Sequence, residues 1–552
     1  MEKNKIYTGI FLLMLLVTVA LVACQEEETW PRTRLFSPVL NEDLLSEDNT
    51  IIVNMGKMKG AISYTIEVSR DTFKTIDYTI QSDTNYIVIN KALVGEELLW
   101  YTLYQVRATA HADDPEYDSK VSDLGSVKTQ KFPSNMKTPT SFDILDTQAK
   151  VNWTKTGDPI TTVKVYAATD LRLLTPLLTL TVSTSDQLAA MKIVSGLKPS
   201  TSYQIAIYSG NTIRGWEVYK TRAGLVSGAN VFNLAGIEKT TILADTLPDV
   251  PSGSVILLEG GRTYSTGGYK FDKSVKIMAG YSFVPALPKI DCAVNFNVLG
   301  GSNVDSIVFR EIAFAADFAA SYVFNPNEAT AVTIGHIKFE NCQIRKLRGI
   351  IRFRGPKPGN IAKYSIINCM VDSIGGYGLF TMDTNGGIAI GDILLKNSTF
   401  SKCDYFMQTY TQSSSLNIQD CTFSEVPSTG AILFRWRGAA GNADITNGLT
   451  MKNCIWGHAW DKAASGVYTF SADAGNGGTS PSLDATTISI VNCYSVSQFA
   501  FVTGREMAGF PVGNYKNKAA DLWVSPYAGL NFNFKDVSFA GKSDCGDPRW
   551  RK

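Results

Sequence analysis

The chain has 552 residues, too many for one ordinary domain, and its 52 Lys+Arg against 51 Asp+Glu leave a formal charge of +1. That balance excludes the electrostatic footprint of a nucleic-acid-binding protein. Tyr, Phe and Gly are plentiful and long amphipathic helical runs are scarce, so an all-β chain is expected.

At the N-terminus, Lys3 and Lys5 precede the apolar run Ile10–Val17, which is short for a membrane span and ends in small residues. Leu21-Val22-Ala23-Cys24 closes the run and Gln25-Glu26-Glu27-Glu28 follows. The first motif resembles a lipobox. The resemblance implies a lipoprotein signal peptide over 1–23, lipidation of Cys24 and a lipidated tether over 24–32. The plain alternative is a cleaved signal peptide. The acidic stretch is similar to the export tag of Bacteroidota lipoproteins, which implies a lipid anchor in the outer membrane, facing the cell exterior. Several acyl chains on one Cys hold firmly where a single chain holds weakly.

Residues 33–131 read as short strands separated by turn residues: Ile51–Val53, Ile62–Val68, Tyr86–Ile89 and Tyr101–Ala108. Residues 138–222 repeat the plan with Lys150–Trp153, Val163–Tyr166, Tyr203–Tyr208 and Val218–Tyr219. Each reads as a small β-sandwich. Trp153 and the stretch Leu197-Lys-Pro-Ser-Thr-Ser-Tyr203 resemble the core Trp and tyrosine corner of a fibronectin type III module. The first unit looks like a weaker copy, with Leu99-Trp100-Tyr101 expected to serve the corner. Both modules are expected to act as spacers. Ala223 to Leu234, with Gly224, Ser227 and Gly228, reads as a linker.

Within residues 236–552, read as one domain ending in a cap, one phrase recurs between 307 and 493: apolar-x-apolar-x-Asn/Asp-Cys. It stands as Ile337-Lys-Phe339-Glu-Asn341-Cys342, Tyr364-Ser-Ile366-Ile-Asn368-Cys369, Leu416-Asn-Ile418-Gln-Asp420-Cys421, Leu449-Thr-Met451-Lys-Asn453-Cys454 and Ile488-Ser-Ile490-Val-Asn492-Cys493. Ile393-Leu-Leu395-Lys-Asn397-Ser398 is a variant, and Ile307-Val-Phe309-Arg-Glu311-Ile312 a worn copy. Apolar–polar alternation is a strand with one face buried. The Asn ends it, because Asn tolerates left-handed backbone angles. A second short strand follows each copy, as in Gly349–Arg354 and Ala431–Trp436. Strands of fixed length with variable loops indicate a β-solenoid, in which Asn stacks over Asn and Cys over Cys. The ladder resembles the right-handed parallel β-helix of the pectate-lyase-like superfamily. Cys24 aside, the cysteines are expected to be buried free thiols: no Cys-x-x-Cys suggests a zinc site, and stacked side chains suit a disulfide poorly.

A β-helix offers a sheet face along which equivalent side chains line up. In the resembled superfamily such a face commonly binds polysaccharide. Two strands carry doubled arginines, Arg352 with Arg354 and Arg435 with Arg437. The pairs lie three coils apart, about 14 Å at roughly 4.8 Å per coil. With Tyr410 they form a candidate row for acidic sugars, since guanidinium forks pair with carboxylates and rings stack on sugar faces. The plainer alternative is a solvated face, or pairing with Asp383, Asp404 or Asp473.

Elimination from a uronate would need a proton acceptor, for which Arg354, Lys357 and His458 are the candidates. Arg354-Gly-Pro-Lys-Pro-Gly359 departs from the pectate-lyase pattern, and no acidic run resembles that family's Ca2+ cluster. No metal or cofactor is therefore expected, Ca2+ entering only with lyase chemistry. The ending Phe539–Trp550 resembles the termini of Bacteroidota lipoproteins of unknown function that join such modules to a β-helix, often encoded with polysaccharide-uptake systems. Physically it reads as a cap. The combined expectation is an outer-membrane surface lipoprotein binding an extended, acidic polysaccharide, working with an outer-membrane glycan transporter complex. The rivals are a polysaccharide lyase and an adhesin or structural stalk.

Overall fold

The computed structural model describes residues 32–355, 358–438, 442–473, 482–507 and 509–551, and Cys24 and Lys357 lie outside them. The chain divides into two compact units: most of the two N-terminal modules form one, and the chain from Lys220 onward dominates the other. In the first module, a three-stranded sheet of Leu45–Glu47, Thr50–Asn54 and Tyr86–Ile89 faces a four-stranded sheet of Tyr78–Ser82, Ser63–Ser69, Leu103–His111 and Ser122–Lys128. Alternate residues of both sheets, among them Ile51, Val53, Ile66, Val68 and Val106, make one core. The corner residue differs from the expected one. Tyr101 is 61% exposed, whereas Tyr104 is fully buried and its hydroxyl accepts from the Leu99 N–H at 2.9 Å. In the second module, Pro176–Thr181, Thr162–Ala167, Ser202–Ser209 and Thr212–Lys220 make a four-stranded sheet. Trp153 and Tyr203 are buried.

The second unit is a parallel β-solenoid. Its first strand, Val231–Asn233, lies inside the stretch read as a linker and pairs in parallel with Ser254–Leu258. Each regular coil has three strands, one more than expected. In a central coil these are Thr333–Glu340, Gln343–Leu347 and Gly349–Phe353. They contribute to sheets of ten, ten and seven described strands, called here the first, second and third sheets. The middle strand was hidden because it begins directly after the Cys.

Register within the sheets stacks like on like. Phe309, Phe339, Ile366, Leu395, Ile418, Met451 and Ile490 share one inward column of the first sheet. In the second sheet Phe400, Phe423 and Trp456 stack nearly parallel, at 5.2 and 3.7 Å between ring centroids. Burying such columns supplies the solenoid's stability, at about 25 cal/mol for each Å2 of apolar surface removed from water.

The corner between the first and second sheets is the Asn/Asp position. Glu311, Asn341, Asn368, Asn397, Asp420, Asn453 and Asn492 all sit at φ between 50° and 58°. Their N–H groups keep the ladder unbroken through the bend: Asn341 donates to Ile367 O at 2.9 Å, Asn368 to Lys396 O at 3.0 Å and Asp420 to Lys452 O at 2.9 Å. Side chains add a ladder where Asn453 Nδ2 donates to Asp420 Oδ1 at 3.1 Å and Asn492 Nδ2 to Asn453 Oδ1 at 3.0 Å.

The cysteines that follow are buried free thiols. They bond as well as fill space. The Cys342 N–H donates to Cys369 Sγ at 3.3 Å, and in the variant coil Ser398 Oγ accepts from the Cys369 N–H at 3.0 Å. A second left-handed corner, at the ends of the second-sheet strands, is made by Lys346, Ser373, Lys402 and Glu425, at φ between 52° and 58°.

The C-terminal segment lies along the side of the second sheet and not only past its last coil. Asp547 Oδ2 accepts from Thr399 Oγ1 at 2.8 Å, Trp550 Nε1 donates to Thr399 Oγ1 at 2.8 Å, and Arg549 Nη2 donates to Asn368 O at 2.8 Å. Arg551 Nη2 reaches Asp420 Oδ1 at 2.7 Å.

Two outcomes follow from this architecture. Asn453→Gly should be tolerated, whereas Asn453→Ile forces a β-branched residue into the left-handed region. The second change should cost about 1–3 kcal/mol, read as a lowered unfolding midpoint. Cys292, Cys342, Cys369, Cys403, Cys421, Cys454, Cys493 and Cys545 should resist a thiol reagent in the native protein and all react in guanidinium.

Candidate functional site

The third sheet carries the doubled arginines. Its inward residues are apolar: Ile351, Phe380 and Met407 are in register, then Phe353 and Met382. Alternation therefore points the intervening residues outward. Arg352, Thr381, Gln408 and Arg435 pair across adjacent coils and form one outward column. Two residues on, the backbone ladder continues through Asp383, Tyr410 and Arg437, whose N–H groups donate to Phe353 O, Met382 O and Thr409 O. Arg354 occupies the same position one coil earlier. The sheet thus brings together all five predicted binding residues. Trp436, between Arg435 and Arg437, is fully buried, with Nε1 3.3 Å from Ser413 Oγ.

The arginines lie down on this face and are not fully solvated. Arg352 stacks 4.0 Å from the Tyr377 ring centre, Arg437 4.1 Å from Tyr410 and Arg435 5.4 Å from Tyr405. Tyr377 and Tyr405 were not singled out in the sequence: read there as the first residues of strands, they instead precede the strands Phe380–Met382 and Met407–Thr409, where alternation does not place a side chain on the face. Asp383 is the carboxylate among them. It accepts from Arg352 Nε at 3.0 Å and Nη2 at 2.5 Å, with Arg437 Nη2 3.8 Å from its other oxygen. One of the plainer pairings, Arg352 with Asp383, is therefore present, while Asp404 pairs with Lys462.

Arg435 Nη1 donates to Gln408 Oε1 at 2.8 Å, and Gln408 is held by Gly376 O at 2.8 Å. The Nε groups of Arg354 and Arg437 are buried without a hydrogen-bond partner among the described residues. Arg352 and Arg437 thus share one carboxylate, Arg435 is held by a neutral amide, and the face carries more positive than negative charge.

The charges tune one another. Burial pulls Arg352 down, but the hydrogen bond and charge of Asp383 outweigh it, so its pKa is raised. Arg437 is lowered, first by burial and then by the neighbouring Arg435 guanidinium. An anion placed here would relieve the repulsion between Arg435 and Arg437.

His458 stands elsewhere, buried beneath the C-terminal segment. Its Nδ1 faces Ala459 O at 2.7 Å, so that nitrogen carries the proton, and Nε2 accepts from Tyr527 Oη at 2.9 Å. Burial lowers its pKa, and both nitrogens are occupied in holding structure. Close by, Lys402 Nζ donates to Tyr527 O at 2.9 Å and lies 3.9 Å from Glu425 Oε2. Burial pushes Glu425 up to about 7 against the opposing charge of Lys402. No sequence signal marked Glu425, because its burial depends on a segment a hundred residues away.

The model of a domain of unknown function (DUF4957) matches residues 263–403, which are coils of the solenoid that include Arg352 and Arg354. No curated protein matches the chain. Among solved structures, the chain is similar to the FN1-FN3 domains of chicken CNTN1, at 16% identity over 35% of this chain and 67% of that one, with a TM-score of 0.15. It is also similar to the central fibronectin-III array of RIM-binding protein, at 12% identity over 36% of this chain and 65% of that one, with a TM-score of 0.13. Those scores carry no argument, and the sandwich assignment stands on the strands described above.

Glu425 generates a pH dependence. Its carboxyl holds a proton in the folded chain up to about 7 but releases it near the ordinary 4.5 when unfolded. The raised value stabilises the fold below pH 4.5, and that stability is lost as pH rises toward 7. The unfolding midpoint of the parent should fall across that window relative to Glu425→Gln, and parallel curves would remove Glu425 from the account.

Proposed function

We propose that this chain is a surface lipoprotein, anchored through Cys24 in the outer membrane, whose solenoid binds an extended acidic polysaccharide along the third sheet. It would hand captured polymer to an outer-membrane glycan transporter complex, with the two sandwich modules as spacers. A β-helix scaffold joined to sandwich modules fits a binding or structural role.

One observation carries the choice of ligand: on one face, Arg352 and Arg437 share the Asp383 carboxylate, Arg435 and Arg354 stand in the same columns, and Tyr377, Tyr405 and Tyr410 lie under the guanidinium groups of Arg352, Arg435 and Arg437. Coils repeat at roughly 4.8 Å, so a polymer laid along the axis meets charge and rings at successive steps. Guanidinium groups supply forked donors to carboxylates, and the tyrosine rings supply faces for pyranose C–H groups. Anchoring rests on the lipobox-like Leu21–Cys24.

A second reading, β-elimination from a uronate, has one observation in its favour. Burial and the neighbouring Arg435 lower Arg437, and a lowered guanidinium is the better proton acceptor. Ca2+ belongs to this reading alone.

The double change Arg352→Ala with Arg435→Ala should abolish retardation of the chain in gels containing polygalacturonate. The unfolding midpoint should move little, since a partly exposed ion pair contributes about 1 kcal/mol or less. Unchanged retardation removes the third sheet as the binding face. Ultraviolet absorbance from unsaturated product, lost in Arg437→Ala, would establish the lyase in its place.

A further inference from the structure

The first compact unit holds a cavity that the arginine face does not involve. Its volume is about 440 Å3, within the range of small-molecule sites. One wall is aromatic: Phe132 meets Trp100 edge-on at 5.2 Å and Trp216 at 4.8 Å. The same three rings border a second cavity of about 220 Å3.

The opposite wall is a loop held in place from several sides. The Asp170 carboxylate accepts from the N–H groups of Leu174 and Thr175 at 2.9 and 2.8 Å. Buried Gln204 donates to the carbonyls of Ala168 and Asp170 at 3.3 and 3.2 Å. Leu173 takes a left-handed conformation, φ 56°, that L residues rarely adopt. Arg172 Nη2 clamps the loop to Glu96 Oε1 at 2.5 Å and to Tyr78 Oη at 3.1 Å. All this holding keeps Leu171 and Leu174 50% and 75% exposed at the cavity mouth, where their burial energy is forgone.

The rim selects the occupant. Its charges cancel in pairs, Arg172 with Glu96 at 2.5 Å and Lys91 with Glu97 at 3.5 Å, so nothing draws in an ion. An acidic ligand would meet two carboxylates. A wholly apolar ligand would strip water from them and return no hydrogen bond. A neutral sugar ring satisfies both sides, its C–H face against the aromatic wall and its hydroxyls donating to the carboxylates. We propose that this cavity binds a neutral pyranose unit of a glycan, stacked against Trp100 and Trp216 with its hydroxyl edge toward Glu96 and Glu97. The proposal is independent of the third-sheet reading.

The test uses the chain without residues 1–24, titrated with hexasaccharides of cellulose, xylan and mannan by calorimetry and intrinsic tryptophan fluorescence. At least one should bind. Trp216→Ala and Leu174→Asp should each weaken it about tenfold or more, with the unfolding midpoint of Leu174→Asp unchanged. Arg352→Ala with Arg435→Ala should leave it intact, which separates failure here from failure of the acidic site. No binding of any neutral hexasaccharide, or binding unaffected by both cavity variants, overturns the proposal. So would polygalacturonate oligomers whose binding is lost in Leu174→Asp. Nile red fluorescence lost in Leu174→Asp, with no sugar bound, would assign the cavity to an apolar ligand instead.

Discussion

A bend that costs the backbone no hydrogen bonds is what the solenoid depends on. Each coil must turn sharply between its first and second sheets without orphaning a peptide group, since a buried unpaired N–H or C=O is expensive. One residue in the left-handed region does this. It swings the chain by a single step, and its N–H still reaches the carbonyl of the next coil. Asn and Asp adopt that conformation more readily than most residues, so the requirement writes itself into the chain every 23 to 39 residues.

The thiol after the corner belongs to the same device. It fills the narrow inside of the bend and offers a soft acceptor to the N–H one coil back, a role that Ser398 Oγ takes over without loss. Buried thiols, one hydroxyl and, in the worn copy, Ile312 share this inward position.

The sides of the solenoid meet different fates. The second sheet is covered from Thr399 to Tyr494 by the chain's own ending, and its polar outward residues bond to Asp547 and Trp550. Catalysis by His458 fits poorly there, because Tyr527 of that cover and the adjacent Ala459 carbonyl occupy the two ring nitrogens. The third sheet instead presents guanidinium groups resting on tyrosine rings. That arrangement keeps the cations partly desolvated, so an incoming anion meets them at greater strength than it would on a hydrated surface.

Apolar alternation and the recurring Asn-Cys step determined by themselves that this chain is a stack of β-coils behind two sandwiches, because each is a local demand of backbone geometry. The doubled arginines were legible too, since residues two apart in a strand share a face. The second corner was not: Lys346, Ser373, Lys402 and Glu425 share no chemistry, and their left-handed angles are imposed by the strands on either side. Tyr101 against Tyr104 failed for a similar reason, because local spacing does not say which ring the opposite sheet will bury. Which of the three aspartates pairs with Arg352, the stacking of Arg437 on Tyr410 and the burial of Glu425 were decided by the tertiary structure. Each joins residues on different coils or under a distant segment, and the phase between coils depends on loop lengths that carry no periodic signal.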